Sequence, residues 1–372
     1  MNSIPIARPR MPKAEALLPY LERIDRNRTY SNFGPLVAEL EARLARRLGV
    51  EPACLVTVSN ATAGLTLTLQ ALTEGRTGAC LLPSWTFVAS AHAVAAAGLT
   101  PFLVDVDEAS WALTPAIALD AVSRIDGPVA AVMPVAPFGA PMDVSGWDRF
   151  TAVTGIPVLI DAAAAHDTVS AGETPAVVSL HATKILGAGE GGYVVCRRPD
   201  LIVAVKKRSN FGFYGSRDAQ VAAFNAKMSE YHAAVGLASM DAYDADTARF
   251  RNVAQAYRDH LAAWTDVELQ PGFGTQWVGS VCVARFTGRD KQRIAAHLGA
   301  AGADSRSWWG DGIHTQSAFV DAPRLALPVT EMLARETLGL PYFLDMPQSD
   351  VARVCAMLDD VRRAPAATSA AA

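Results

Sequence analysis

Lysine is scarce in this sequence: Lys13, Lys184, Lys206, Lys207, Lys227 and Lys291 are the only six, and most of its positive charge is arginine. Cysteine is scarcer. The five (Cys54, Cys80, Cys196, Cys282 and Cys355) are odd in number, far apart and embedded in apolar surroundings. That excludes a disulfide framework and cysteine metal spacing, and predicts reduced core thiols. Also lacking is an apolar run long enough to span a bilayer, since the tract 129–142 is broken by Pro134, Pro137 and Pro141. Residues 1–10 carry prolines and arginines but no apolar core of signal-peptide length, so the expected location is cytoplasmic. No block of like charge occurs and the net charge is only -4, which points away from nucleic acid and membrane surfaces.

What is present suits a soluble globular protein of 372 residues with one large domain and one smaller one. The expected organisation is an irregular N-terminal arm over 1–35, a large domain over 36–245, a small C-terminal α+β domain over 246–363 and a disordered small-residue tail over 364–372. Leu36, Leu40, Leu44 and Leu48 recur every four residues and Gly49 stops the pattern, which predicts an amphipathic helix. Strand-like runs at 54–58, 80–82, 101–106, 129–135 and 158–160 then alternate with helical ones at 63–72, 87–97, 115–122 and 144–153. Such alternation predicts an α/β fold whose mostly parallel sheet is flanked by helices on both faces, with ligands beyond the carboxyl ends of the strands. Further along, helices are expected at 200–208, 230–242, 245–263, 290–298, 329–337 and 349–361, and strands at 193–196, 278–285 and 306–309.

Lys184 stands apart from the other lysines. Ile185 and Leu186 follow it, and no acidic residue comes before Glu190. In low-polarity surroundings an ammonium loses solvation and the neutral amine becomes accessible, as a Schiff-base lysine requires. The plainer alternative is a lysine that snorkels along an apolar face to water. The run Gly187-Ala188-Gly189-Glu190-Gly191-Gly192 fits G-x-G-x-x-G, but a strand follows it where a dinucleotide fingerprint needs a strand before and a helix after. It reads as a tight turn crowding whatever Lys184 holds. Ser59-Asn60-Ala61-Thr62 turn from a strand into a helix N-terminus, an anion site or simply a cap. Asp161 ends a buried strand amid alanines, where a carboxylate needs a cation or donor, or serves as an N-cap. Trp85 offers a flat surface, or a core side chain. Together these are what pyridoxal phosphate requires: a lysine, an acid for the ring nitrogen, a phosphate site and a stacking surface.

Several longer motifs accompany them: Ser59-Asn60-Ala61-Thr62-Ala63-Gly64-Leu65, Pro83-Ser84-Trp85-Thr86-Phe87-Val88-Ala89-Ser90, Asp161-Ala162-Ala163, Ser179-Leu180-His181-Ala182-Thr183-Lys184, Gly189-Glu190-Gly191-Gly192 and Asn225-Ala226-Lys227-Met228-Ser229-Glu230. In these, and over nearly its whole length from Asn32-Phe33-Gly34-Pro35 to Leu338-Gly339-Leu340-Pro341, the chain resembles the DegT/StrS-type sugar aminotransferases. These are fold type I pyridoxal-phosphate enzymes. The resemblance implies pyridoxal 5'-phosphate as cofactor, Lys184 as its covalent anchor and Asp161 on the ring nitrogen. It also implies Thr62, Ala63 and Ser179 on the phosphate, Trp85 stacked on the ring, and Asn225 reaching the neighbouring subunit's phosphate in a homodimer with shared active sites. The reaction it implies moves an amino group from an amino acid, glutamate being the expected donor, to a nucleotide-linked 4-keto-6-deoxy sugar. A cyclitol or other small ketone as acceptor, and a non-catalytic cofactor-binding regulator, are the competing expectations. One departure stands out: Ala164 occupies a position where many members carry Gln or His toward the ring hydroxyl.

Overall fold

A computed structural model describes residues 3–363, so the tail expected at 364–372 lies outside the described residues. The chain runs α1 (Ala14–Asn27), α2 (Pro35–Arg47), β1 (Leu55–Val58), α3 (Ala61–Leu72), β2 (Ala79–Pro83), α4 (Ala89–Ala96), β3 (Thr100–Val104), α5 (Pro115–Ser123), β4 (Val129–Val132), α6 (Val144–Thr154), β5 (Ile160–Asp161), β6 (Ala176–Ser179), β7 (Gly192–Val195) and α7 (Pro199–Ser209). It continues with α8 (Glu230–Leu261), β8 (Val267–Leu269), β9 (Cys282–Phe286), α9 (Lys291–Ala301), α10 (Pro328–Glu336), β10 (Thr337–Leu340) and α11 (Gln348–Arg363). No helix among the described residues is long and apolar enough to cross a membrane.

Two groups of strands, β1-β7-β6-β5 and β3-β2-β4, meet through parallel bridges Val132 to Val158 and Val135 to Asp161. The result is one large sheet in the order β1-β7-β6-β5-β4-β2-β3. Only β7 runs against its neighbours. Its strands are buried on both faces, which is why they read as continuous apolar runs rather than alternating ones. One face packs on a core to which α2, α5, α6 and the first half of α8 contribute, the other on a core from α3, α4 and α7. A second, antiparallel sheet, β10-β9-β8, packs with α9, α11 and the second half of α8. All five cysteines are buried and unpaired.

Three local expectations need correction. The arm is not irregular, because residues 14–27 form α1. Leu17, Tyr20, Leu21 and Ile24 give it an apolar stripe at helical spacing, which Pro19 and the surrounding charges hide from a pattern reading. The two helices expected at 230–242 and 245–263 are one 32-residue helix, α8. Ala233, Ala234 and Leu237 face the large-sheet core whereas Val253, Ala254, Tyr257 and Leu261 face the second core. A stripe that changes face between two cores looks like a break in sequence. The strand expected at 306–309 is a loop held by one antiparallel bridge, Arg306 to Gly339.

At the start of α8, Glu230 ties that helix to α2. Its Oε2 and Oε1 accept from the backbone N–H groups of Leu36 (2.9 Å) and Val37 (2.8 Å), the first turn of α2. A buried carboxylate at a helix N-terminus satisfies orphan donors and meets the positive end of the helix dipole. Glu230→Ala leaves both donors unpaired in a dry environment and is expected to cost about 3 kcal/mol. The check is urea unfolding of the purified variant: a midpoint unchanged from that of the parent would refute this role.

Candidate active site

Several strands of the large sheet end at a single cavity of about 1020 Å³. β1 leads through Asn60 into α3, whose first turn lines it with Ala61 and Thr62. Asp161 closes β5, and Ser179 closes β6 just before the turn carrying Lys184. Beyond β2 come Thr86 and Phe87. The position is the one α/β folds favour, outside the carboxyl ends of their strands.

The Lys184 turn is held by a hairpin-like return. Leu180 N donates to Gly191 O (2.9 Å), Ala182 N to Gly189 O (2.9 Å) and Ala188 N to Leu180 O (2.7 Å). The glycine run is therefore a turn into β7, as read from the sequence. A Cβ on Gly192 would stand 2.9 Å from Ala61 N, so glycine lets β7 lie directly against the first turn of α3.

Lys184 Nζ has no hydrogen-bond or ion-pair partner among the described residues. Although its side chain reaches the open cavity, the surrounding protein desolvates it and lowers its pKa, while the negative charge of Asp161 pulls the other way. Asp161 is buried, and that burial raises its pKa. The opposing influences are the Ser90 hydroxyl, donating to Oδ2 at 2.6 Å, the backbone N–H of Ala163, donating to Oδ1 at 3.1 Å, and the charge of Lys184. The amine and the acid are thus electrostatically coupled through one cavity without being bonded to each other.

Thr62 and Ser179 line the cavity, and Ser179 Oγ accepts from His181 N at 3.2 Å. The N–H groups of Ala61 and Thr62, at the start of a helix, lack intrahelical acceptors. Ala63 does not line the cavity, and its N–H is taken by the capping Asn60 Oδ1 at 2.8 Å. Asn225 is exposed and also outside the cavity of its own chain; its neighbour Ala226 is tied to the turn after β1 by Ser59 N donating to Ala226 O (2.7 Å).

Trp85 is where the structure departs from the expected site. Its ring is only 3% exposed and lies outside the cavity lining, edge-on to Phe138 and Trp309. Of the two aromatics in this motif the one that lines the cavity is Phe87, two residues on and 57% exposed. Phe87 stands within the same sequence motif, but nothing in the pattern shows which of the two rings turns inward. Ser90, which orients Asp161, was also missed.

His166 does not substitute for the side chain absent at Ala164. It lies outside the cavity lining, its Nδ1 shares a hydrogen bond with the Tyr193 hydroxyl (2.9 Å), and burial pushes its pKa down to about 3.

Pyridoxal phosphate fits these residues. A desolvated lysine, a buried carboxylate already oriented by two donors, a helix start with free N–H groups and hydroxyls, and a large aromatic left exposed inside a cavity match its aldehyde, ring nitrogen, phosphate and ring.

Comparison with known proteins agrees. A family model described as the DegT/DnrJ/EryC1/StrS aminotransferase family matches residues 13–359. The dTDP-4-amino-4,6-dideoxy-D-glucose transaminase of Shigella dysenteriae is 31% identical over 270 residues, covering 71% of this chain and 72% of the relative. The crystal structure of DesI, solved in the presence of its TDP-sugar product, superposes with a TM-score of 0.88 at 32% identity, covering 98% of this chain and 94% of that one. A Bacillus cereus ATCC 10987 protein classed as a PLP-dependent aminotransferase gives a TM-score of 0.90 at 26% identity, covering 96% of this chain and all of that one.

The buried acid makes its own prediction. Because burial raises the folded-state pKa of Asp161, the stability linked to this group is present at low pH and lost as pH rises through that pKa. The near-isosteric Asp161→Asn variant carries no such loss. In cofactor-free protein it is expected to melt above the parent at neutral pH, with the gap closing toward pH values below the ordinary carboxylate range. Melting curves across pH test this, and a variant less stable than the parent at pH 7 would contradict it.

Proposed function

We propose a function from one premise: the chain belongs to the DegT/DnrJ/EryC1/StrS aminotransferase family and is a PLP-dependent aminotransferase. In our reading it takes an amino group from an amino acid, glutamate first among the candidates, and delivers it to the ketone of a nucleotide-linked 4-keto-6-deoxy sugar. The single observation that carries the site assignment is the coupling of Lys184 to Asp161 within one cavity. The sugar acceptor is supported by the compounds that the names of two relatives carry, a dTDP-linked amino sugar and a TDP-sugar product.

Each role follows from the local chemistry. Lys184 would anchor the cofactor covalently; freed from it, its amine, which desolvation shifts toward the neutral form, would hold and move the proton at the substrate carbon bearing the nitrogen. Asp161 would hold a proton on the ring nitrogen through a charge-assisted hydrogen bond, and Ser90 keeps its carboxylate oriented. Thr62, Ser179 and the first turn of α3 would take the phosphate, with Phe87 rather than Trp85 as the stacking surface. Bound there, the cofactor supplies the electron sink and carries the amino group between the two substrates. Asn225, exposed on the segment before α8, would complete the phosphate site of a second subunit.

Lys184→Ala is expected to fold normally and to lose turnover by a thousandfold or more, since anchor and proton carrier vanish together. Parent protein mixed with glutamate should convert its bound cofactor spectrally to the amino form. A panel of keto sugars and cyclitols then identifies the acceptor as the compound that reverses the change. Parent-like turnover in Lys184→Ala would sink the assignment, and no spectral change with any amino acid would sink the reaction.

The shared site has its own test. Asn225→Ala should weaken cofactor retention by about 1.5–3 kcal/mol, the scale of a hydrogen bond to a charged group, and retention would depend on dimerisation. When this variant is mixed with Lys184→Ala at limiting cofactor, each mixed dimer regains one intact site. Activity should exceed that of both parents after subunit exchange; demonstrated exchange without recovery removes the shared-site model.

A further inference from the structure

The charges around the cavity do not cancel within the protein. Arg10 lies between Asp246 (3.7 Å) and Asp345 (3.9 Å), carboxylates that Arg249 also holds. Lys184 is coupled to Asp161, and His181 Nε2 stands 3.7 Å from Glu190. Two cavity-lining guanidiniums remain, Arg8 and Arg306, and neither has a carboxylate partner among the described residues.

Both are nevertheless held in place. Arg8 lies 4.9 Å over the ring of Phe343, and Arg306 lies 5.2 Å from the ring of Trp308; all four residues line the cavity. A guanidinium stacked on an aromatic face keeps its in-plane N–H groups free and loses less rotamer freedom on binding. The backbones beneath them are fixed as well. The arm bearing Arg8 is stitched to the C-terminal region by Ile4 N to Gly302 O, Asp304 N to Ile4 O and Tyr342 N to Ile6 O, each 2.9 Å. Arg306 exchanges backbone hydrogen bonds with Gly339 (3.1 and 2.9 Å), and the Trp308 indole lies so close over that glycine that a Cβ there would meet its Nε1 at 2.3 Å. Two residues some 300 positions apart in the chain thus present uncompensated, pre-positioned positive charge to one cavity.

We propose that Arg8 and Arg306 form an anion clamp that binds the doubly charged group of a substrate, either the two carboxylates of the amino-acid donor and its keto-acid product or the diphosphate of the acceptor. Arginine suits both, since its planar fork pairs bidentately with carboxylate and phosphate oxygens. The clamp rests on the reading of this cavity as the aminotransferase site, and it adds which residues of this chain hold the anionic part of the substrate. Binding energy spent there positions the substrate amine or ketone beside Lys184.

Isothermal titration calorimetry of the holoenzyme with 2-oxoglutarate, and separately with thymidine diphosphate, tests it at low and high salt. The expected result is that Arg8→Gln and Arg306→Gln each weaken at least one probe by tenfold or more, that the double variant weakens it further, and that the salt dependence falls in step. Arg306→Lys, which keeps the charge but not the planar fork, should fall between. Loss confined to 2-oxoglutarate identifies the donor carboxylates as the clamped group, loss confined to thymidine diphosphate identifies the acceptor, and loss of both makes the clamp common to the two half-reactions. Melting temperatures like the parent's establish that the variants fold. Binding of neither probe by the parent, or affinities in the double variant within twofold of the parent, overturns the clamp. Spectral conversion by saturating glutamate separates the two readings: it persists in the parent if only the clamp is wrong, and is absent if the reaction itself is wrong.

Discussion

An amine and a carboxylate that share a buried cavity would ordinarily meet as an ion pair, and here they are kept from doing so. Ser90 and the Ala163 N–H occupy the oxygens of Asp161, and Lys184 hangs from a turn fixed by backbone bonds to Gly189 and Gly191. Were the two to close on each other, the amine would be held charged and an acceptor position of the acid that a ligand could use would be taken. Separation leaves both underused in the free protein, at a cost in stability that desolvation imposes on each. A ligand that engaged both groups would relieve that cost.

Much of the remaining architecture keeps those two elements in register. The antiparallel strand β7 lies between β1 and β6, so the glycine turn preceding it fixes the Lys184 loop and presses on the first turn of α3. The residues that follow β2 are held by a segment distant in sequence: Ile313 N donates to Ser84 O (2.9 Å), and His314 Nδ1 shares a 2.8 Å hydrogen bond with Ser84 Oγ. The loop containing them then returns to the edge of the large sheet, where Leu103 N donates to Pro323 O (2.9 Å). With α8 contributing to both cores, the elements that line the cavity are tied to one another by backbone bonds and packing, the rigid support that a binding site needs.

How much could be read from the chain alone depended on the distance over which each feature is encoded. Lys184, Asp161, Ser179, Thr62 and the glycine turn are marked by their immediate neighbours, namely an apolar strand, a turn or a helix start, and the structure brings all of them to one cavity. The alternation of strands and helices revealed the layered sheet for the same reason. Side-chain direction beyond a strand end carries no such mark. Trp85 and Phe87 are equally aromatic in sequence, and only the packing of Trp309 and Phe138 around Trp85 decides that it is core. The joining of Arg8 to Arg306 through backbone bonds near residues 302 and 342 is a matter of tertiary structure alone, as is the reach of Glu230 back to α2.

The alanine run after Asp161 also fits this division of labour. Ala162 and Ala165 pack into the core while Ala163 and Ala164 face the cavity, so the run divides between two environments. His166 then turns away to Tyr193 and Tyr243, where its depressed pKa keeps it uncharged at neutral pH. This segment therefore offers the cavity one ionisable group and no second polar side chain. Where a Gln or His at the position of Ala164 would add a polar side chain, in this chain the segment presents only Asp161, oriented by the hydroxyl of Ser90. Ala164 also leaves space beside the acid that a longer side chain would fill, so the departure from the usual motif trades a polar contact for room on that side of the cavity.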